Sequence, residues 1–250
     1  MNPKVSIITV TYNAGELLQN TLNSIKSQAY DNIEYIIIDG KSEDNTIDII
    51  KKNEKFVSKW VSERDKGLYD AMNKGIELAT GDYIWFINAG DEVYSKNTLD
   101  KVFKTGQNAD AYYGDVQYID ENGKNLGTRT LKKPPKNLSW EDFKNGMIVS
   151  HQSIILKKKY AAKYNLDYKY CADLDWMIRS LKKCKVIQNT NLILSKFLIG
   201  GYSKENIIPS NKERFKILTK HFSISKVLLS HIDMSFKFAK YYITNKRKLY

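Results

Sequence analysis

Residues 5–39, with the sequence VSIITVTYNAGELLQNTLNSIKSQAYDNIEYIIID, decide the fold of this chain. Residues 5–10 form a near-continuous apolar run, which is typical of a parallel strand that is covered on both faces. Within residues 14–27, leucine and isoleucine recur at the spacing of one helix face. Residues 33–38 (IEYIII) are a second buried strand, which ends at Asp39. The stretch therefore predicts a strand–helix–strand unit.

The same alternation continues beyond this unit. The pattern predicts a helix over residues 44–52 with Asp44 at its N-cap, a strand over residues 56–61, a helix over residues 68–79 and a strand over residues 83–87. Strands that alternate with helices through short links favour a parallel sheet with right-handed crossovers. We therefore predict an α/β, Rossmann-like fold with a mostly parallel central sheet and helices on both faces.

The pattern changes after residue 105. Residues 111–119 predict a strand, the turn sequence ENGK follows it, and residues 126–131 can return antiparallel. A further strand is predicted over residues 150–156 and a helix over residues 172–183. We divide the chain into three parts: residues 1–105, residues 106–208, and a basic, helical C-terminal tail over residues 209–250.

The charge of the chain restricts its partners. Its 250 residues carry a formal net charge of +12, from 40 Lys and Arg against 28 Asp and Glu. Such an excess suits nucleic acid, anionic lipid or phosphorylated small molecules. No Gly–aromatic RNA-binding signature and no zinc-finger spacing is present in the sequence, so nucleic acid is disfavoured as a partner. There is no export signal, no apolar run near the ~18 residues of a transmembrane helix, and only two cysteines, so we expect a cytoplasmic protein.

Polar residues follow the predicted strands at the edge of the sheet where ligands bind in α/β folds. A charge at Asp39, after a buried strand, is costly without partners. Its carboxylate can accept hydrogen bonds from a nucleobase N–H or a ribose hydroxyl, or it simply begins a turn. Tyr12 follows the neighbouring strand and offers a ring face for base stacking, or is an ordinary rim aromatic. Asp65 and Lys66 precede a helix, which suits phosphate or ribose contacts, although both can also be surface charges.

The sequence NAGDE at residues 88–92 follows the predicted strand 83–87. Acidic oxygens at this place, with a glycine that allows close approach, suit a hard divalent cation that holds a diphosphate. Such a cation neutralises a leaving diphosphate as a Lewis acid. The alternative is an acidic loop that caps the next helix.

Two longer stretches carry a resemblance to a known family. Residues 6–46 (SIITVTYNAGELLQNTLNSIKSQAYDNIEYIIIDGKSEDNT) and residues 65–92 (DKGLYDAMNKGIELATGDYIWFINAGDE) resemble the family 2 glycosyltransferases with the GT-A fold. The resemblance covers residues 4–95 strongly and residues 145–185 more loosely. It implies a transferase that uses a nucleotide sugar.

The resemblance also assigns roles to the residues of the site. It implies that Tyr12 and Asp39 contact the donor nucleoside and that Asp65 and Lys66 lie near it. Asp91 belongs to the family's metal motif, which usually has two or three carboxylates, as D-x-D or D-x-D-D. The matching residues 88–91 keep only the carboxylate of Asp91, and Asn88 at the start of the motif is expected to contact the donor.

The sequence CADLDWMIR at residues 171–179 matches the place where an acidic residue of this family opens a helix and deprotonates the acceptor hydroxyl. Asp173 and Asp175 lie about 200° apart around a helix, so both cannot face one site. Asp175 precedes Arg179 by one helical turn, which predicts an ion pair. Asp173 aligns with the family position, and we predict that it is the catalytic base rather than only an N-cap. His151 begins a His-Gln pair that is common in similar sequences; it contacts the diphosphate or the acceptor, or only satisfies a local hydrogen bond.

Basic and large apolar residues are interleaved in the tail, from residue 211 to residue 250. Such a segment can lie in a lipid interface, attracted by anionic headgroups. Alternatively, it forms helices that pack on the domain and expose a solvated basic face.

The resemblance implies inversion at the sugar by a single displacement, with Asp173 as the base. It further implies a UDP-hexose donor and a saccharide acceptor, polyprenyl-diphosphate-linked, in bacterial surface-polysaccharide synthesis at the inner face of the cell membrane. Residues 1–105 would bind the nucleotide sugar, and residues 106–208 would bind the acceptor. A nucleotidyltransferase would need a Gly-rich, Arg- or Lys-bearing loop where this chain has TYNAGELL. A non-catalytic membrane-surface protein would explain the tail but not the spaced acidic residues.

Overall fold

The computed structural model describes residues 2–106, 108–130, 132–200 and 206–245. The strands within these residues are β1 (Val5–Thr11), β2 (Ile33–Asp39), β3 (Lys59–Ser62), β4 (Tyr83–Phe86), β5 (Glu92–Val93), β6 (Ala111–Ile119), β7 (Asn125–Thr128), β8 (Ile154–Lys157) and β9 (Ile187–Leu198). The α-helices are α1 (Gly15–Lys26), α2 (Thr46–Lys52), α3 (Leu68–Leu78), α4 (Thr98–Lys104), α5 (Ala172–Leu181), α6 (Ile207–His221) and α7 (Ile224–Asn245).

One sheet of nine strands organises the described part of the chain. Its order is β3-β2-β1-β4-β8-β6-β9-β5, and β7 pairs with β6. The strands β1 to β4 are parallel to one another, as predicted for alternating strands and helices. In the second half, β8 runs antiparallel to both β4 and β6, and β5 runs antiparallel to β9. Strands β6 and β9 run parallel again, and the long connection between them contains α5, so the second half of the sheet is mixed.

Two apolar layers cover the two faces of the sheet, and β1 contributes to both. Ile7 packs in one layer with Leu18 of α1. Ile8 packs in the other layer with Met72 of α3 and Trp176 of α5. All five side chains are fully buried, and burying one of this size stabilises a fold by roughly 1.5–3 kcal/mol. This double burial explains why residues 5–10 are apolar without alternation.

Three predicted boundaries are shifted in the structure. The helix predicted from Asp44 begins at Thr46, and the Asp44 carboxylate accepts the backbone N–H of Thr46. The third strand begins at Lys59 rather than at residue 56, because the residues before it form a turn in which the N–H of Val57 bonds to the carbonyl of Asn53. The strand predicted from residue 150 begins at Ile154, after a short 3₁₀ turn.

The helical tail predicted for residues 209–250 forms two helices in the described residues, α6 and α7, which differ in burial. In α6, Ile217 and Leu218 are buried in the same apolar layer as α3 and α5. Phe222, just after α6, stacks on Trp140 with ring centroids 5.4 Å apart. Helix α7 contributes Val227 to this layer and then leaves most of its large side chains exposed. Helix α6 therefore packs in the core of the domain, which is one of the two alternatives that the sequence left open for the tail.

The last basic residues of the predicted tail, at positions 246–248, lie outside the described residues. Within the residues that the structure describes, no helix is long and apolar enough to cross a membrane.

Candidate functional site

The carboxyl ends of β1 and β2 bring three of the predicted donor-binding residues together around Gly40. A Cβ on Gly40 would lie 2.8 Å from the Asp65 carboxylate and 3.3 Å from the Tyr12 ring. Gly40 follows Asp39, the last residue of β2. The Tyr12 side chain is 63% exposed, so its ring presents a free face beside these carboxylates. The arrangement suits the stacking of a planar base with hydrogen-bond acceptors at its edge.

Asp39 is fully buried beneath this surface. Its Oδ2 accepts hydrogen bonds from the backbone N–H of Ser42, at 2.9 Å, and from the hydroxyl of Ser62, at 2.6 Å. Its Oδ1 accepts a bond from the hydroxyl of Ser42. A buried carboxylate needs such donors. Because a carboxylate offers about four acceptor positions, Asp39 keeps acceptor capacity beyond these three bonds.

Asp65 and Lys66 lie in the loop before α3. Asp65 Oδ1 accepts the N–H of Gly67 at 2.8 Å, while its Oδ2 is the oxygen that faces Gly40. The backbone N–H of Lys66 donates to Asp70, and the Lys66 side chain is exposed. The structure thus brings Asp65 next to Tyr12 and leaves the Lys66 ammonium free to move at the surface.

A second group of predicted residues forms a row from the end of β4 to α5. Asn88 Nδ2 lies 3.4 Å from His151 Nε2, and His151 Nδ1 lies 3.6 Å from Asp173 Oδ2. A His151 tautomer with its proton on Nδ1 faces the carboxylate and accepts from the amide at Nε2. The Asn88 Oδ1 atom is buried and has no hydrogen-bond partner among the described residues. This row joins the predicted donor end of the site to the predicted base.

Asp173 lies in the first turn of α5, and its side chain is 24% exposed. Its Oδ1 accepts the N–H of Leu174, whereas Oδ2 faces His151. Burial, and then the charge of Asp173, raise the pKa of the Tyr69 and Tyr164 hydroxyls well above the usual value for a tyrosine. Asp173 thus has one oxygen fixed by the helix and one oxygen directed toward the row of polar residues.

Asp91 is 4% exposed and lies in the loop between β4 and β5, as does Asn88. Its Oδ2 accepts a bond from Gln152 Nε2 at 3.0 Å, and its Oδ1 accepts the N–H of Leu198 at 3.1 Å. Burial raises the pKa of Asp91 to about 6, although these bonds act in the opposite direction. In the described residues, no group of three His, Cys, Asp or Glu side chains is placed to hold a metal. A cation there would need ligands from a bound diphosphate, as is usual for Mg²⁺, together with Asp91 and the unpartnered Asn88 oxygen.

Asp175 faces away from this row, and the predicted ion pair with Arg179 is confirmed at 2.6 Å. His221 of α6 also contacts Asp175, at 2.7 Å. Burial acts to raise the pKa of Asp175, but the bonds from His221 and Arg179 hold it below its usual range. Asp175 therefore links α5 to α6, a structural function that the sequence indicated only in part.

Two residues near the site were not found from the sequence. Gln152 holds the Asp91 carboxylate, and its own side-chain oxygen accepts the hydroxyl of Ser150. Glu213 of α6 accepts the backbone N–H groups of residues 169, 170 and 171, at 2.8, 2.8 and 2.7 Å. These are the residues immediately before α5, so Glu213 fixes the start of the helix that carries Asp173. The His-Gln pair was a signal for Gln152, but nothing in the local pattern indicated Glu213.

The curled, mixed α/β sheet, with polar residues at the carboxyl ends of its strands, is that of a GT-A-like glycosyltransferase. The family model "Glycosyl transferase family 2" matches residues 6–164. The chain therefore belongs to glycosyl transferase family 2, and it is a transferase.

Proteins with similar sequences are described as glycosyltransferases. An uncharacterized glycosyltransferase of Mycobacterium tuberculosis is 28% identical over 239 residues, covering 92% of this chain and 89% of the relative. A PGL/p-HBAD biosynthesis glycosyltransferase of Mycobacterium bovis is 32% identical over 188 residues, covering 71% and 69%. The amylovoran biosynthesis glycosyltransferase AmsB of Erwinia amylovora is 29% identical over 192 residues, covering 71% and 64%.

Solved structures confirm the fold. TarS 1–349 of S. aureus has a TM-score of 0.69 at 16% identity, covering 98% of this chain and 76% of that chain, and it is also known in complex with UDP-GlcNAc. The mannosyltransferase PcManGT of Pyrobaculum calidifontis, in complex with GDP-Man and Mn²⁺, has a TM-score of 0.63 at 16% identity, covering 100% and 77%.

Proposed function

We propose that this protein is an inverting glycosyltransferase that moves a hexose from a UDP-linked donor to a hydroxyl of a saccharide acceptor. The observation that carries the proposal is the row formed by Asn88, His151 and Asp173. It connects the loop after β4 to a partly exposed carboxylate at the start of α5. Solved structures with this fold bind UDP-GlcNAc or GDP-Man, which supports a nucleotide-sugar donor.

The nucleoside of the donor binds at the ends of β1 and β2 in this proposal. The exposed Tyr12 ring stacks on the base, and Asp39 and Asp65 accept hydrogen bonds from the base or the ribose. Lys66, whose side chain is exposed, contacts the nucleotide from the loop before α3. The carboxylates at this surface would repel phosphate, so the diphosphate is directed toward Asn88 and His151.

Asp173 acts as general base in the chemical step. Its free oxygen takes the proton of the acceptor hydroxyl while the hydroxyl oxygen attacks the anomeric carbon. The bond from that carbon to the diphosphate oxygen breaks, and the diphosphate leaves with the electron pair. One base without a second carboxylate placed as nucleophile gives a single displacement, which inverts the configuration. His151 holds the orientation of Asp173 and contacts the leaving diphosphate.

A divalent cation, Mn²⁺ or Mg²⁺, fits this site only together with the donor. The Mn²⁺ complex of a protein with the same fold supports a cation. Asp91 and the unpartnered Asn88 oxygen would hold it. When bound, such an ion stabilises the negative charge that develops on a leaving diphosphate.

The acceptor in this proposal is lipid-linked, and the enzyme acts in bacterial surface-polysaccharide synthesis. The similarity to AmsB, a glycosyltransferase of amylovoran biosynthesis, supports a polysaccharide product. Leu228, Ile232, Phe236 and Ile243 of α7 are all at least 50% exposed and, at 100° per residue, fall on one helix face. Such a face, with Lys240 beside it, suits the surface of an anionic membrane.

The direct test is product analysis with a panel of nucleotide sugars. A glycosyltransferase releases the nucleoside diphosphate, whereas a nucleotidyltransferase releases pyrophosphate. Donors are first selected by thermal shift with and without Mn²⁺, because a ligand that binds the native state raises its stability. We expect wild type to release nucleoside diphosphate. The Asp173→Asn variant should lose this release while its affinity for the donor stays unchanged. A protein that binds no nucleotide sugar contradicts the proposal.

A further inference from the structure

Three cationic side chains from separate segments converge on Gly146. The Lys132 ammonium nitrogen lies 3.4 Å, and Arg214 Cδ 3.8 Å, from the place where a Cβ on Gly146 would lie. Arg129 Nη1 donates to the carbonyl of Met147, the next residue, at 2.9 Å. Lys132 and Arg129 follow β7, whereas Arg214 comes from α6. We call Arg129, Lys132 and Arg214 the Gly146 cation cluster.

The cluster has neutral partners and no acidic one. Lys132 donates to the carbonyl of Asn145 at 3.2 Å, Arg129 also donates to the Tyr118 hydroxyl at 2.8 Å, and Arg214 donates to the Asn211 side chain at 3.2 Å. Among the described residues, no carboxylate forms an ion pair with any of the three cations.

Among the described residues, two acidic side chains near the cluster are engaged elsewhere. Burial raises the pKa of Asp115, its Oδ1 accepts the N–H of Val116, and the charge of Arg129 acts only in the opposite direction. Glu213, next to Arg214, uses both oxygens on the backbone before α5. Without a counter-ion, the charged form of Lys132 is destabilised. Burial, and then the charges of Arg214 and Arg129, lower the pKa of Lys132 to about 8. An anion placed among these side chains would remove that repulsion.

The cluster also lies next to the two chain segments that carry His151 and Asp173. Gly146 precedes the segment that ends at His151. Arg214 follows Glu213, which accepts the backbone N–H of Cys171 at 2.7 Å. Burial, and then the charge of Asp173, raise the pKa of the Cys171 thiol, and the charge of Arg214 acts to lower it. Cys171 is the residue just before α5. The cluster is therefore on the Asp173 side of the site, whereas the proposed nucleoside surface is formed by Tyr12, Gly40 and Asp65.

We infer that the Gly146 cation cluster is a binding site for a phosphate group, and that this phosphate is carried by the acceptor. Two guanidinium forks and one ammonium match the oxygens of a phosphate or diphosphate ester. A phosphate bound here would bring an attached saccharide to Asp173. The inference rests on the proposed function for the identity of the acceptor, but the anion site itself can be tested without any transfer.

The test measures the binding of inorganic pyrophosphate by calorimetry at about 0.15 M salt, with UDP at saturation so that the donor site is occupied. The variant is Lys132→Gln/Arg214→Gln, which removes two charges of the cluster. The matched control, Lys124→Gln/Lys212→Gln, removes two exposed lysines at equal net charge. The affinity of each protein for UDP alone is measured in parallel.

We expect wild type and the control to bind pyrophosphate beside UDP, and the cluster variant to bind it at least about tenfold more weakly with unchanged affinity for UDP. A tenfold loss of UDP affinity in the cluster variant alone would assign the phosphate to the donor instead. Absence of pyrophosphate binding by wild type, or an equal loss in the control, would overturn the site.

Folding of the variants is checked by thermal unfolding. The single variant Lys132→Gln removes a charge that two arginines repel, so its Tm should equal or exceed that of wild type. It supplies the same binding comparison if the double variant is unstable. Failure of sugar transfer with intact pyrophosphate binding would count against the proposed function and leave the anion site standing.

Discussion

Replacement of Glu213 by glutamine tests whether a helix far along the chain positions the catalytic base. The Glu213 carboxylate accepts three backbone N–H groups, from residues 169, 170 and 171, at the entrance to α5. Two residues after the last of these comes Asp173. Without this anchor the first turn of α5 should shift, and the Asp173 carboxylate should lose its alignment with His151.

The size of the effect follows from these three bonds. Glutamine keeps one acceptor oxygen, so at least one bond is lost and the remaining ones change from charged to neutral. Hydrogen bonds to charged groups contribute about 1.5–3 kcal/mol each and neutral ones about 0.5–1.5 kcal/mol. Since residue 169 is exposed, water can replace part of the loss. We expect Glu213→Gln to lower the free energy of unfolding by about 1–3 kcal/mol and kcat by on the order of tenfold.

The assay separates positioning from general stability. Initial rates are measured well below the Tm of the variant, so that only folded protein contributes. A misplaced base lowers kcat and leaves the KM for the donor near the wild-type value, because the nucleoside binds at the other end of the site. The control is Glu141→Gln, which removes an exposed carboxylate. In an Asp173→Asn background, Glu213→Gln should cause no further loss of kcat.

Two results would refute the positioning role of Glu213. One is a variant with lowered Tm but wild-type kcat, which would make Glu213 purely structural. The other is an equal loss of kcat in the wild-type and Asp173→Asn backgrounds, because an effect exerted through Asp173 must vanish when Asp173 is gone.

The other predictions concern the base, the buried carboxylates and α7. Asp173→Asn should lose on the order of 10²–10⁴-fold in kcat with donor affinity retained, as for a lost general base, whereas Asp175→Asn should act mainly on stability and be active when folded. The lowered pKa of Asp175 stabilises the fold above its unfolded pKa of about 4, and this stability should disappear as the pH falls further in acid unfolding curves. Asp91→Asn should cut transfer by on the order of 10²-fold and abolish any Mn²⁺-induced gain in donor affinity. In wild type that gain should decline as the pH falls through about 6, the pKa of Asp91, because the carboxylate then takes up a proton. Full wild-type activity in EDTA would exclude the cation. Deletion of residues 224–250 should abolish co-sedimentation with anionic vesicles at low salt, while transfer to a short soluble acceptor persists. Deletion from residue 209 should instead unfold the protein, because α6 lies in the core. A wild-type protein that does not co-sediment with such vesicles would exclude the membrane function of α7.

The first half of the fold could be predicted because its signals are local. Apolar runs of strand length, separated by helices of matching periodicity, leave a parallel sheet as the arrangement that buries both faces. Strands β1, β2 and β4 and helices α1, α3 and α5 accordingly lie within one or two residues of their predicted ranges. In the second half, antiparallel neighbours are joined through irregular segments, and no periodicity indicates which strand pairs with which. The place of β8 between β4 and β6 is an example.

The sequence indicated which polar residues lie near one another, but not how they are connected. Residues at the carboxyl ends of parallel strands must share one edge, so the approach of Tyr12 to Asp65 follows from the fold class. The separation of Asp173 from Asp175 follows from helix geometry alone, and the partner of Asp175 at Arg179 is one turn away. The sequence could not indicate that the Asp91 carboxylate is already held by Gln152, since 61 residues separate the two.

The sequence by itself determined the class of fold, the edge of the sheet that carries the site, and the acidic and aromatic residues along that edge. These properties depend on spacing within a strand or helix, where covalent geometry fixes the direction of each side chain. Only the tertiary structure decided that α6 is part of the core, that Glu213 anchors the start of α5, and that Arg129, Lys132 and Arg214 meet at Gly146. Those contacts join residues far apart in the chain, and they depend on how whole elements pack, which no local pattern records.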